Sequence, residues 1–478
     1  MKSVPNVLST GIASYDAIVV GSGFAGLAAS AILSRKGLKT LIVDDADQIG
    51  GRLANTNYNG YWLEWGLRDA RDTWADNFIA LSKGQYGLKV GEAAGIDIPW
   101  VGPITPNVLV HRESDGEVVP WNGDPEAMIN FGNKIMGLSQ EQAIAFLTIL
   151  GTLAASDPNP LMNVTMKDWL ADNVKDPALV EAFDRIAWIT FALPINETSA
   201  GRWAYFFQNP LQNYLINDPE VGGIQGMMEE FARATKTYGG EIKLGLKPIE
   251  ISVKVGKVTG VVTLDKTSIV HEFRAPIVIF TDPCWDVFDV LDKSYFPSDV
   301  MENAPKIKKA FSTDRGNTIG LEMGLSRVPT IRATGKPDQY IGFEQLSEHP
   351  GGWHIGTLAS EKMAPPGKHL LSAVAFRLGR FASFEEAKAE MDIVIKEMHR
   401  YYSDLDDITE WMAYRWYSIW PTSSYWMATP RFPSQIDGLD GLYFAGQTVE
   451  ADGVYQDAEA CSVLQTTDLI LQRHKMRT

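Results

Sequence analysis

The sequence predicts an α/β protein: a doubly wound parallel sheet assembled from separated chain segments, with an α+β domain inserted between them. Three observations predict it. A short β-branched run, Tyr15 to Val20, leads into glycines, a small-residue helix and a second β-branched run. Strand-like pieces then return in the middle and at the end of the chain, at Pro276 to Thr281 and Gly441 to Ala445. The intervening stretches are long and differently patterned, the first helix-rich and the second mixed.

In chain order, Phe24 to Lys36 reads as the first helix and Thr40 to Val43 as the second strand, which completes a β–turn–α–β unit. From about Asp76 to Tyr214 the chain is rich in helical pattern, Trp and Phe. Gly240 to Thr263 returns to strand character, with Gly256-Lys257 read as a hairpin turn between two Val/Ile runs. Strands at Thr318 to Leu325 and His369 to Phe376, and a helix at Phe384 to Tyr402, follow. A final helix is expected from Tyr455 to Gln472. This pattern assigns 1–75, 215–284 and 430–478 to one domain, and 76–214 and 285–429 to the inserted one.

Composition narrows the function classes. With 478 residues, 45% hydrophobic and 21% charged, the chain is an ordinary folded protein. Lys+Arg total 43 against Asp+Glu 59, a net charge of −16, which repels a phosphate backbone and argues against nucleic acid. Two cysteines, Cys284 and Cys461, make neither a disulfide framework nor a metal-ligand spacing, and the scattered histidines add none, so no metal is expected. With no secretory pattern at the start, a cytoplasmic location is expected. Ala143 to Ala155 is too short to span a bilayer. Two readings stand for it: a buried core helix, or a helix that dips into a membrane surface or gates an apolar tunnel. Peripheral membrane contact and oligomerisation are thus left open.

Gly21-Ser22-Gly23-Phe24-Ala25-Gly26 fits G-x-G-x-x-G, preceded by a strand and followed by a helix. The first glycine allows the tight turn, the second lets backbone amides approach a pyrophosphate, and the third lets helix and strand pack closely. Asp44, 18 residues past Gly26 at the end of the second strand, is placed to bind the hydroxyls of an adenosine ribose and is favoured over Asp45. The unit is a Rossmann-type dinucleotide site.

Six residues after Asp44 comes Gly50-Gly51-Arg52. Here the sequence resembles the flavin amine oxidase and phytoene desaturase superfamily, over about residues 15–70, 220–285 and 440–470. The resemblance implies FAD, bound without a covalent link because neither cysteine falls at a family attachment site. It implies that Gly50 and Gly51 bring backbone close to FAD and that Arg52 neutralises pyrophosphate or lies beneath the flavin. Trp62-Leu63-Glu64-Trp65-Gly66 is similar to the stretch that approaches the isoalloxazine, which adds Trp65, Gly66, Leu67 and Arg68. Gly222-Gly223-Ile224 and the strands after it imply an adenine contact through the backbone of Ile249. Leu442 to Gln447 and Gly453-Val454-Tyr455 are similar to the C-terminal signature, whose helix aims its dipole at the flavin; they add Gly446, Gln447, Gly453, Val454, Tyr455 and Ala458. Two departures stand out: Gln447 replaces the usual acid, and Asp457 replaces a small residue.

The reaction implied is hydride transfer from a hydrophobic or cyclic small molecule to flavin N5, a desaturase, dehydrogenase or isomerase chemistry, with oxygen or quinone as electron acceptor. The amine-oxidase branch usually carries an aromatic cage and a lysine in the strand that Thr318 to Glu322 occupies here; the nearest lysines, Lys308 and Lys309, precede it. Tyr417 or Trp420 could supply one ring of a cage, but Tyr455 stands one step, about 100° round the helix, from the position of the other. Trp65, Tyr417, Trp420 and Tyr455 are therefore candidates to line the flavin. An amine oxidase giving imine and hydrogen peroxide, and a non-catalytic FAD-binding scaffold, remain the alternatives.

Overall fold

The structure, a computed structural model, describes residues 13–63, 85–96, 100–101, 109–112, 118–121, 124–191, 193–208, 215–216, 223–310, 316–339, 343–345, 351–358, 360–378, 381–417, 430–453 and 455–475. Its organising element is a five-stranded sheet whose strands all run parallel: β1 (Ala17–Val20), β2 (Thr40–Val43), β3 (Glu241–Lys243), β4 (Val278–Phe280) and β5 (Leu442–Phe444). Their order across the sheet is β3-β2-β1-β4-β5. The chain builds outward from β1 to β3 and then crosses to the other side for β4 and β5. That reversal places a crevice at the carboxyl ends of β1 and β4.

Strand β1 is buried throughout and flanked on both sides, with Val19 opposite Ile42 and Ile279. This explains its unbroken apolar run, since a strand covered on both faces has no polar face to alternate with. Helix α1 (Phe24–Arg35) is equally dry: every residue from Phe24 to Ser34 is buried, and its small side chains let neighbouring elements close on all sides. Phe24 meets Phe231 of helix α3 (Gly223–Thr237) edge to face at 5.6 Å. Helices α2 (Gln85–Ala94) and α4 (Tyr455–Lys475) also pack on this layer.

Between β3 and β4 the strands Leu246–Lys254, Lys257–Asp265 and Val270–Arg274 form an antiparallel sheet, joined by Ala13–Ser14. The hairpin turn lies one residue earlier than the sequence suggested. Lys254 pairs with Lys257, so Val255-Gly256 is the two-residue turn, with φ of 52° and 70°. Two positive φ values match the twist of the flanking strands. A β-branched valine is a poor signal for such a turn, and Val255 is tolerated there because its side chain is in solvent.

A seven-stranded sheet dominates the inserted part, in the order Thr409–Tyr417, Gly316–Leu325, His369–Leu378, Gly351–Ile355, Phe343–Gln345, Leu109–Arg112 and Val118–Trp121. The last two strands lie within the stretch read as helix-rich, which is a correction. They are short and pair with each other, and Leu109–Arg112 joins them to the rest of the sheet far along the chain, Leu109 beside Phe343. One face of the sheet, including Ile319, Leu321, Leu371 and Ala373, packs on helix Phe384–Tyr401 through Ala387, Met391, Val394 and Met398. Helix Gln140–Ala154 buries Ala143, Phe146, Leu150 and Leu153, with Phe146 4.5 Å from Phe183. Its other face, including Ile144, is exposed. It is a core helix on one side only. Among the described residues no helix is long and apolar enough to cross a membrane.

A Cβ built on Gly26 would stand 2.0 Å from the carbonyl oxygen of Gly21. Gly26→Ala is therefore expected to push α1 off β1 and to lower stability by at least about 2 kcal/mol. Denaturant unfolding checks this; a wild-type midpoint would contradict the packing described.

Candidate functional site

Four chain segments meet at the carboxyl edge of the parallel sheet. The first is the turn from β1 into α1. Gly21 takes φ +104°, and a Cβ there would lie 2.5 Å from Thr281 Oγ1. The Thr281 hydroxyl donates to Val20 O at 2.7 Å, which binds the end of β4 to the turn. Gly23 behaves differently. Its backbone is extended (φ −71°, ψ −176°), and among the described residues no side chain caps α1 and a Cβ on Gly23 meets nothing within 4 Å. Open space thus lies in front of the uncapped N–H groups of a buried helix, the geometry that receives an anion.

Gly50 and Gly51 form the second segment. Gly50 N donates to Ser22 O at 2.9 Å, Gly50 bridges to Gly23, and a Cβ on Gly51 would come within 3.1 Å of Gly23 Cα. The two glycine motifs are therefore one surface. Asp44, at the end of β2, is buried; Ser22 N and Oγ both donate to its Oδ2 at 2.6 Å, and Ala46 N donates to Oδ1 at 2.8 Å. Asp45 is exposed.

Gly446, with φ +126°, is the third segment: a Cβ there would lie 3.3 Å from Thr281 O and 3.8 Å from Ala25 Cβ, so the chain after β5 also touches the start of α1. Next to it, Gln447 is buried, and its Oε1 has no hydrogen-bond partner among the described residues. Asn55, which follows the second glycine turn, is buried with both Oδ1 and Nδ2 in the same condition, while its N–H donates to Gln225 Oε1. Buried amides are normally satisfied, so orphaned ones at the edge of an open cradle fit a polar ligand with hydroxyls and phosphates. The fourth segment carries Ile249, in the strand that follows β3. The register shifts between Pro248 and Glu250 and leaves Ile249 without a partner across the ladder, 38% exposed.

Other sequence-predicted positions divide plainly. Ser22, Phe24, Ala25 and Ala458 are buried, Phe24 sending its ring toward α3 and away from the opening. Trp65, Gly66, Leu67, Arg68, Trp420 and Val454 lie outside the described residues, as do the side chains of Arg52, Tyr417 and Tyr455. Of the aromatic residues near Tyr417, Phe432 is core and packs on Phe444, Tyr414 is half-buried against Phe384, and Trp411 meets Tyr58 and Tyr61 edge to face.

Tyr61 belongs to the hairpin Thr56–Tyr58/Tyr61–Leu63 that directly follows the cradle, and Trp411 shows which sheet face this hairpin covers. The same face carries a cross-strand row that sequence reading missed: Ala413, Glu322, Ser372 and His354 lie side by side. Glu322 is fully buried and accepts from Ser372 Oγ at 2.6 Å. No local motif could reveal the row, because its members come from four strands. Lys308 and Lys309 are exposed on helix Ser298–Ala310.

Residues 19–74 match the model of the NAD(P)-binding Rossmann-like domain family. The chain is similar to a pseudooxynicotine dehydrogenase of Pseudomonas sp, 36% identical over 91 residues, 18% of each chain. It is also similar to the neurosporene-forming phytoene desaturase of Rhodobacter capsulatus, 26% identical over 284 residues, covering 55% of this chain and 51% of that one. The matches thus span about half of the desaturase's length and less than a fifth of the dehydrogenase's. Among solved structures, a putrescine oxidase redesigned in its cofactor binding superposes with a TM-score of 0.62 at 17% identity, covering 97% of this chain and all of that one. The fold is shared with it.

Cys284 and Cys461 are both buried, and burial pushes their thiols up to about 12 and about 11. Neither is a thiolate near neutral pH. A disulfide-exchange reagent at pH 8 is expected to titrate no thiol quickly in the folded protein and both after denaturation; a fast-reacting thiol in the folded state would contradict this burial.

Proposed function

We propose that this chain, which belongs to the flavin amine oxidase and phytoene desaturase superfamily, is an FAD-dependent oxidoreductase acting on a hydrophobic or cyclic small molecule. The observation that carries the reading is the position at Gly23, open among the described residues, where Gly51 packs on Gly23 and Gly446 on Ala25, together with the buried amides of Gln447 and Asn55 that have no partner among those residues. The uncapped N–H groups of α1 would hold the pyrophosphate, Asp44 the adenosine ribose, and the backbone of Ile249 the adenine. Gln447, neutral where the family resemblance implies an acid, would offer an acceptor to a ribityl hydroxyl. Bound there, FAD would supply a hydride acceptor at N5. The protein's part is to bind, orient and keep water out, and neither buried cysteine offers a link to the ring.

Carbon–carbon dehydrogenation is the preferred reaction, because strand Gly316–Leu325 holds no lysine and the nearest two point into solvent. Oxygen or a quinone would take the electrons onward. One observation favours the amine reading instead: the buried carboxylate of Glu322 lies on the sheet face that the hairpin from the cradle covers, and a carboxylate suits a cationic amine.

Two measurements test these readings. Gly23→Val keeps an extended backbone and places its Cβ where no described residue stands within 4 Å, so it should cost no more than about 1 kcal/mol of stability while abolishing FAD retention. A variant that still carries a full complement of flavin would refute the cradle. Anaerobic mixing of the holoprotein with alicyclic and alkene compounds is expected to bleach the flavin. Bleaching by amines alone would move the assignment to the second reading, and no bleaching by either would favour a scaffold.

A further inference from the structure

Helix α4 reaches past the sheet that anchors it. Its Thr466 hydroxyl donates to Phe444 O at 2.7 Å, and Gly446 N donates to Ser462 Oγ at 2.9 Å, so the helix runs antiparallel beside β5. From Ser462 back to Tyr455 is seven residues, about 10 Å of helix, which carries the first two turns beyond the carboxyl edge of the sheet. Other elements must hold them.

Two charged side chains do so. Arg202, on helix Ala200–Gln208 of the inserted part, is buried and donates through Nη1 to Ala451 O at 2.9 Å and Gly453 O at 2.8 Å, the carbonyls that lead into α4. Asp457, in the first turn of α4, is also buried; its Oδ1 accepts from Tyr86 N at 2.8 Å and Gly87 N at 3.0 Å, at the start of α2. A cation and an anion thus flank one helix N-terminus. Their environment is dry: desolvation raises the Asp457 carboxyl, and burial followed by the nearby Asp457 charge raises the phenol of Tyr205. Charges act strongly there.

We propose that Arg202 and Asp457 set the midpoint potential of the flavin from opposite sides. Arg202 is a positioning residue that fixes the chain leading into α4, the helix whose N-terminus the family resemblance turns toward the flavin, and Asp457 is the charge that opposes it. The inference rests on the FAD reading above. Reduction places negative charge on the ring, so the cation raises the potential and the anion lowers it.

Dye-coupled redox titration of the FAD holoprotein tests this. Arg202→Met should shift the midpoint potential down, Arg202→Lys should recover part of the shift, and Asp457→Asn, which keeps an acceptor for Tyr86 and Gly87, should shift it up. Flavin-loaded Arg202→Met or Asp457→Asn at the wild-type potential overturns the proposal, as do shifts of the same sign. If Arg202→Met does not fold, Asp457→Asn decides alone. A wild-type chain that binds no FAD overturns the cofactor reading and this inference with it, whereas loaded variants with unmoved potentials overturn this inference only.

Discussion

The contact between α1 and β1 is the constraint from which the site follows. Only hydrogen fits between Gly26 and the carbonyl of Gly21, and only a glycine at position 21 leaves room for Thr281. These two absences of side chain bring the helix start against the ends of β1 and β4. A third glycine, Gly23, meets Gly50 and Gly51 through its backbone, but its own side-chain position faces open space among the described residues. One hexapeptide thus contains glycines of two kinds, those required by the fold and one required by what the fold is to hold. Sterics separates them where sequence alone could not.

Around this contact the chain brings together pieces more than 400 residues apart. Gly50 and Gly51 close on Gly23, and Gly446 on Ala25. Each approach is backbone to backbone or nearly so, which explains why glycine recurs at every junction. The surface so formed is rich in N–H donors and carries the buried amides of Asn55 and Gln447. The net charge of −16 does not oppose the proposed pyrophosphate site, because the attraction there would come from oriented backbone groups at short range, not from the overall field.

Much of this was legible in the sequence for a physical reason: glycine spacing and apolar runs report local sterics and burial. The order of strand, cradle, helix and strand, the acid at the end of β2, and the separated segments of one sheet all belong to that class. What sequence reading missed is of the opposite kind. Arg202 meets carbonyls some 250 residues away, and the row of Glu322, Ser372 and His354 exists only once strands have paired. The strand Leu109–Arg112, which pairs with Phe343–Gln345, was hidden for the same reason. Asp457 was visible only as an anomaly, and its meaning came from the helix start that it caps.

What the cradle holds is the claim on which the rest depends, and the most direct measurement is the content of the native protein. Heat-denatured, purified chain should release into solution FAD equal in amount to the polypeptide, identified by its mass. Recovery of a nicotinamide dinucleotide in its place, or of no nucleotide from a chain that also fails to take up added FAD, would contradict the account.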